Sequence, residues 1–155
     1  MVHTDELKKR MTRFCAWRER CTSEVAKKLR ELGAGKEQID QVSQWLSEEG
    51  YFDDVRFARS YVSGKFTNNQ WGRLKILAGL RSLGINQHLI DDALGHIDES
   101  EYNETLLKLA QKKWNAIKNA KDSFDRKQKT MAYLVSKGYE TDLALQKTNQ
   151  LSLKL

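Results

Sequence analysis

Apolar residues recur along this chain at spacings of three and four, and glycines punctuate the runs. Val25, Leu29 and Leu32 form an i, i+4, i+7 stripe that stops at Gly33, and Ile39, Val42 and Leu46 form a second that stops at Gly50. That period puts each set on one face of a helix, and a glycine just past the last apolar residue is a common helix stop. Thr4, Asp5 and Glu6 open a first helix predicted to run to about Arg20, and Thr22 or Ser23 is the expected cap of the second. From Gly50 to Phe66 the chain turns a corner. Tyr51 and Phe52 are paired aromatics that want burial, Asp53 or Asp54 caps a new helix, and Phe57, Ala58, Tyr61 and Val62 share its inner face. Arg56, Arg59 and Lys65 fall largely off that face, and residues 67–70 read as a polar break.

The pattern then returns. Ile76, Leu80 and Leu83 repeat Val25, Leu29 and Leu32 at a shift of 51, Gly84 repeats Gly33, and Ile90, Ala93 and Ile97 repeat Ile39, Val42 and Leu46. Asn86 is a good N-cap, and Asp98 with Glu101 makes a capping-box pattern ahead of a helix holding Leu106, Leu109, Ala110 and Trp114. A fainter third copy places Leu134 to Gly138 on Leu80 to Gly84 at a shift of 54. Leu143, Ala144 and Leu151 would line its second helix, while Lys147 and Thr148 fall where apolar residues are expected. The prediction is an all-α fold of three tandem three-helix repeats forming an elongated, curved array. An N-terminal helix over 1–21 precedes repeats over 22–66 and 67–120 and a degenerate one over 121–155, whose polar face would let the array end.

Composition supports helices: the chain contains no proline, and no apolar run is long enough to cross a membrane. The charged stretch from Asp5 to Arg13 is unlike a secretory signal, so a cytoplasmic location is expected, with Cys15 and Cys21 as free thiols. The net charge of +6 points to nucleic acid or another polyanion, or else to a solvated basic surface. The excess lies late: residues 101–155 carry 11 Lys/Arg against 6 Asp/Glu, whereas residues 1–50 carry 10 against 9. Between Lys108 and Lys121 there is no acid at all. The candidate contacts to a polyanion are Arg56, Arg59, Lys65, Arg73, Lys75, Arg81, Lys108, Lys112, Lys113, Arg126, Lys127, Lys129 and Lys137. Trp114 interrupts the late basic run; packing is the commoner role of a lone aromatic in a helical stripe, and stacking on a base is the alternative.

No catalytic constellation stands out. Gly33-Ala34-Gly35-Lys36 lacks the glycine spacing and the hydroxyl residue of a phosphate-binding loop. Asp53-Asp54 and Asp91-Asp92 lie near predicted helix N-termini, where acids are favourable without any metal. His3, His88 and His96 do not have zinc-site spacing to the cysteines. No metal or cofactor is expected.

The run Gly50-Tyr51-Phe52-Asp53-Asp54-Val55-Arg56-Phe57-Ala58 resembles the signature of the RecX family of bacterial recombination regulators. So do Gly72-Arg73-Leu74-Lys75-Ile76 with Leu80 to Ile85, and Tyr133 to Tyr139; the resemblance as a whole covers about residues 22–145. Gly79, Leu83 and Trp114 depart from the family's usual acidic residue, lysine and tyrosine. The resemblance implies three three-helix repeats and no enzymatic activity. It also implies binding to RecA filaments on single-stranded DNA, in the filament groove or at a growing end, which inhibits ATP hydrolysis, strand exchange and co-protease action. Duplex DNA is a further candidate partner, and the chain is expected to be a monomer. The residues of the first motif, Gly50, Tyr51, Asp53, Asp54, Phe57 and Ala58, are expected to be structural. The rival readings are a helical transcription factor unrelated to RecA and a helical scaffold for an acidic protein.

Overall fold

Helices form where the stripes place them. The computed structural model describes residues 2–153, which form α1 (Thr4–Trp17), α2 (Thr22–Glu31), α3 (Lys36–Glu48), α4 (Asp54–Asn69), α5 (Arg73–Ser82), α6 (Gln87–Leu94), α7 (Glu99–Ala116), α8 (Ser123–Ser136) and α9 (Thr141–Leu153). Among the described residues there is no strand. The 51-residue register is structural: Val25 and Ile76, Leu29 and Leu80, and Val42 and Ala93 are all buried. The stops are also alike. Gly33, Gly50, Gly84 and Gly138 take φ of 91°, 78°, 75° and 98°, and each donates its N–H to the carbonyl three residues back. The next residue, at Ala34, Tyr51, Ile85 and Tyr139, donates to the carbonyl five back. This doubly bonded end satisfies carbonyls the helix would leave open, and its left-handed residue is cheap only for glycine.

The chain folds as two compact units. The first holds the residues up to Tyr61 together with Leu80–Ala93. In it α1, α2 and α3 pack on one another around Leu7, Met11, Cys15, Val25, Leu29, Val42, Leu46 and Phe52. Cys15 and Cys21 are free, buried thiols. Three local expectations change here. First, α1 ends at Trp17 rather than near Arg20, because Arg18 is extended and Arg20 Nε instead donates to the Phe14 carbonyl at 2.9 Å. Second, the N-cap of α2 is Cys21, not Thr22 or Ser23; the Glu24 carboxylate reaches back to the Cys21 N–H at 3.2 Å. Thr22 turns outward, and its N–H and hydroxyl both donate to the Asp54 carboxylate at 2.8 Å. The two aspartates of the corner thus divide the work: Asp53 accepts from the N–H groups of Val55 and Arg56 at 2.8 and 3.1 Å, while Asp54 serves the start of α2. Third, Phe52, Phe57 and Ala58 go into the core, but Tyr51 is 40% exposed and lies against Trp45 with ring centroids 5.5 Å apart.

The second unit holds Val62–Gly79 and the residues from Leu94 onward. In it α7, α8 and α9 pack on one another. Leu106, Leu109, Ala110, Leu134, Ala144 and Leu151 are buried in this unit, with Val62 and Phe66 of α4 and Ile76 of α5. Trp114 is 4% exposed, so it is core and not a stacking platform. Thr148, expected to break the apolar pattern, is fully buried because its hydroxyl donates to the Ala144 carbonyl at 2.7 Å. Its methyl group is then free to pack. The expected polar break is shorter than 67–70: α4 runs on to Asn69, and the chain turns only at Gln70, whose φ is 56°. Asn86 caps α6 through the His88 N–H at 2.8 Å, and Asp98 caps α7 through the N–H groups of Ser100 and Glu101.

Phe57→Ala should cost about 3–5 kcal/mol, because the ring is buried and its removal leaves a cavity. Asp53→Ala should cost about 0.5–2 kcal/mol through the lost cap. Urea unfolding of the two variants checks both; a Phe57→Ala midpoint equal to wild type would remove this residue from the core.

Candidate nucleic-acid interface

The best-defined polar arrangement lies in the second unit, where the α4–α5 connection meets the end of α8. Two family-like motifs of the sequence, Gly72-Arg73 and Gly138-Tyr139, touch each other here. Gly72 N–H donates to the Lys137 carbonyl at 2.8 Å, and Leu74 N–H donates to the Gly138 carbonyl at 2.9 Å. The Tyr139 hydroxyl donates to the Gln70 carbonyl at 2.9 Å. The approach is close enough that a Cβ on Gly72 would lie 2.4 Å from the Gly138 carbonyl, and one on Gly138 would lie 2.4 Å from Lys75 Cβ. Both positions therefore require glycine for lack of space.

Arg73, the residue after this junction, points inward. Its guanidinium donates to Glu140 at 2.7 Å and to Glu99 at 2.5 Å, and lies 3.8 Å from the centre of the Tyr102 ring. The Arg73 N–H donates to the Tyr102 hydroxyl at 3.0 Å, and that hydroxyl donates in turn to Glu140. The Tyr102 ring stacks on Phe66 with centroids 5.8 Å apart and meets Tyr139 at a tilt with centroids 5.2 Å apart. Burial alone would raise the Glu140 pKa, but the hydrogen bonds from Tyr102 and Arg73 outweigh it and hold the carboxyl below the usual carboxylate range. Burial and the bond to Glu140 push the Tyr102 hydroxyl far up, so it stays protonated and able to donate.

The residues carried by this junction face outward. Lys65 Nζ and Lys75 Nζ lie 4.8 and 4.6 Å from the centre of the half-buried Trp71 ring. Lys137 Nζ donates to the Asn69 carbonyl at 2.8 Å, and its ammonium pKa is lowered, first by burial and then by the Lys75 charge. Among the described residues, Lys75 and Lys137 pair with no carboxylate. An aromatic ring with two ammonium groups near its centre, and a third close to one of them, can take a phosphodiester on the ammonium groups and a base on the ring.

The other candidate cations have different roles. Arg56 is paired with Glu19 at 2.5 Å and also donates to the Gly50 carbonyl, and Arg59 makes a two-pronged pair with Asp92 at 3.0 and 3.3 Å. Arg81 is tied to the Gln87 amide oxygen. Arg126 donates twice to the Trp114 carbonyl at the end of α7 and lies over the Trp114 ring at 4.5 Å. Lys129 pairs with Asp125 at 3.1 Å. Lys113 sits 5.2 Å from the Tyr133 ring, Lys127 is half-buried, and Lys108 and Lys112 are exposed on α7. Structure thus brings Lys65, Lys75 and Lys137 together and sets Arg73 apart as a structural residue. Trp71 and the Tyr102–Glu140 pair were not singled out in the sequence. For Trp71 a signal was present: it follows Lys65 by six and precedes Lys75 by four, at a break between helices.

Comparison with known proteins identifies the helical domains. The profile of the second three-helix domain of RecX matches residues 53–94, and that of the third three-helix domain matches residues 99–146. The "Regulatory protein RecX" of Clostridium perfringens is 32% identical over 120 residues, which is 77% of this chain and 56% of that protein. The chain therefore spans little more than half the length of the curated relatives it matches. A crystal structure of regulatory protein RecX superposes with a TM-score of 0.82 at 28% identity, covering 90% of this chain and 68% of that one. The crystal structure of RecX from Lactobacillus salivarius gives 0.83 at 22% identity, covering 97% of each, and shows the shared fold.

Because the Glu140 pKa is depressed on folding, its contribution to stability is full above the unfolded carboxyl value of about 4.3 and is lost as pH falls through the folded value. Glu140→Gln should cost about 1.5–3 kcal/mol at neutral pH. That deficit should shrink as pH is lowered below about 4. Urea midpoints of both proteins across pH 3–7 check this; a deficit independent of pH would mean that the carboxylate charge is not what holds the junction.

Proposed function

This chain belongs to the RecX family, and from that premise we propose that it is a non-catalytic, cofactor-free cytoplasmic regulator that binds RecA filaments on single-stranded DNA and inhibits RecA. The observation that carries the DNA half of this reading is Trp71 between Lys65 and Lys75 with Lys137 alongside. Bases of any identity stack on an aromatic face, and cations bind phosphates of any sequence, which suits a protein that must act along a whole filament. The lysines are on flexible stems. Lys75 is exposed, so it can leave the ring for a phosphate when a base takes its place. The RecA half rests on family membership, and the inhibited steps are ATP hydrolysis, strand exchange and co-protease action. Lys108 and Lys112, exposed and without carboxylate partners among the described residues, extend the set of phosphate contacts.

If four to six phosphates are neutralised, log K for oligothymidylate against log salt should slope at about −3 to −4. Lys75→Glu should weaken binding and flatten the slope by about 0.7, and Trp71→Ala should cost about 1–3 kcal/mol of binding with little change of slope. ATP hydrolysis by RecA on single-stranded DNA should fall when the wild-type protein is added and fall less with either variant. A slope near zero would transfer the interaction to protein contacts. Unchanged RecA turnover at saturating protein, with DNA binding intact, would leave a helical DNA-binding protein unrelated to RecA.

A further inference from the structure

A second basic feature lies in the first unit and was not anticipated in the sequence. One side of α2 along its length, the end of α1 with the α1–α2 connection, and the end of α5 line an open groove of about 520 Å³. Arg18, Arg20, Lys27, Lys28 and Arg30 line it. Two carboxylates, Glu24 and Glu31, share the lining and offset part of that charge: Arg18 pairs with Glu24 at 2.6 Å and Lys28 with Glu31 at 3.9 Å. Arg20, Lys27 and Arg30 have no carboxylate partner among the described residues, and Lys27 and Arg30 are exposed. Arg20 is held in place through its Nε on the Phe14 carbonyl, with its guanidinium 3.7 Å from the Phe14 ring centre. Burial and the neighbouring Arg18 both lower its pKa, as expected of a cation in a positive, partly dry setting. The apolar lining comes from Phe14 and Leu83, both half-buried, and Ser23 fixes the edge by donating to the Leu83 carbonyl at 2.6 Å.

The chemistry differs from that around Trp71. Arg20, fixed by its bond to the Phe14 carbonyl, lies 3.7 Å from the Phe14 ring centre with Lys28 at 5.7 Å, so a base would have to displace a tethered guanidinium, whereas the exposed Lys75 can leave the Trp71 ring. Carboxylates stand among the cations, which interrupts the continuous positive track that a phosphodiester chain needs. A polypeptide tolerates both features, since its carboxylates are spaced by other residues and its apolar side chains can reach Phe14 and Leu83. Guanidinium forks match carboxylates two bonds at a time. We propose that this groove is a docking site for an acidic, partly apolar segment of a partner protein. It does not depend on the reading of the Trp71 cluster.

The test uses a short fluorescein-labelled peptide of alternating Glu and Leu, with labelled oligothymidylate in parallel, and the whole protein as wild type, K27Q/R30Q and K27E/R30E. Both side chains are exposed and unpaired, so the fold should survive, and thermal melting confirms that it does. Peptide affinity should fall by about tenfold in the reversed pair and by less in the neutral pair, while oligothymidylate affinity stays within about twofold. Loss of oligothymidylate binding with peptide binding unchanged would make the groove a nucleic-acid face and overturn the proposal. Equal losses for both probes, or no saturable peptide binding at low salt, would overturn it as well. Failure of oligothymidylate to bind the wild-type protein would instead count against the Trp71 reading alone.

Discussion

The backbone junction between Gly72 and Gly138 is the constraint on which the second unit depends. Two main-chain hydrogen bonds cross it, and neither glycine has room for a Cβ. Such a junction is costly to leave half made, because the N–H of the buried Gly72 would lose its partner. The groups beneath it satisfy one another: Arg73, Tyr102 and Glu140 are mutually bonded, and Phe66 and Tyr139 pack against Tyr102. The same junction fixes where the connection between α4 and α5 emerges, and therefore where Trp71 lies relative to Lys75 and Lys137.

Charge type divides according to role. The arginines Arg56, Arg59, Arg73 and Arg126 are committed to carboxylates or to carbonyl oxygens at helix ends. Their planar forks reward a fixed, two-pronged partner, which suits structure. Exposed pairs such as Arg59–Asp92 contribute little individually, about 0–1 kcal/mol. Their effect is larger on which charges remain available. What is left for a polyanion is mostly lysine, a mobile point charge without a required geometry. A count of basic residues by sequence therefore overstates the binding surface, and the surplus after pairing is the more useful quantity.

Much of the fold was legible because helix period and helix stops are local. The repeat at a shift of 51 pairs α2 with α5 and α3 with α6, and Gly33, Gly50, Gly84 and Gly138 all end helices as expected. The register leaves open which helix opens each three-helix unit. Failures came where a side chain met something distant in sequence. Thr22 or Ser23 is the expected cap of α2, but Asp54 takes the Thr22 hydroxyl and the Leu83 carbonyl takes that of Ser23, both from far along the chain. Thr148 and Lys147 looked like breaks, yet Thr148 is buried through a bond within its own helix. Asn68 and Asn69 favour turns by propensity, but α4 continues through them. For the site, Lys65 and Lys75 stand six before and four after Trp71, so that pairing was legible, whereas Lys137 joins them only because the end of α8 crosses the α4–α5 connection.

Fluorescence of Trp71 tests the central claim most directly, namely that this junction presents the Trp71 ring between lysines to single-stranded DNA. With Trp17, Trp45 and Trp114 replaced by Phe, the remaining emission reports that ring alone. Titration with oligothymidylate should quench it saturably, and quenching and fluorescence anisotropy of the DNA should give one binding curve that salt weakens in parallel. Binding by anisotropy with no change in Trp71 emission would contradict the claim.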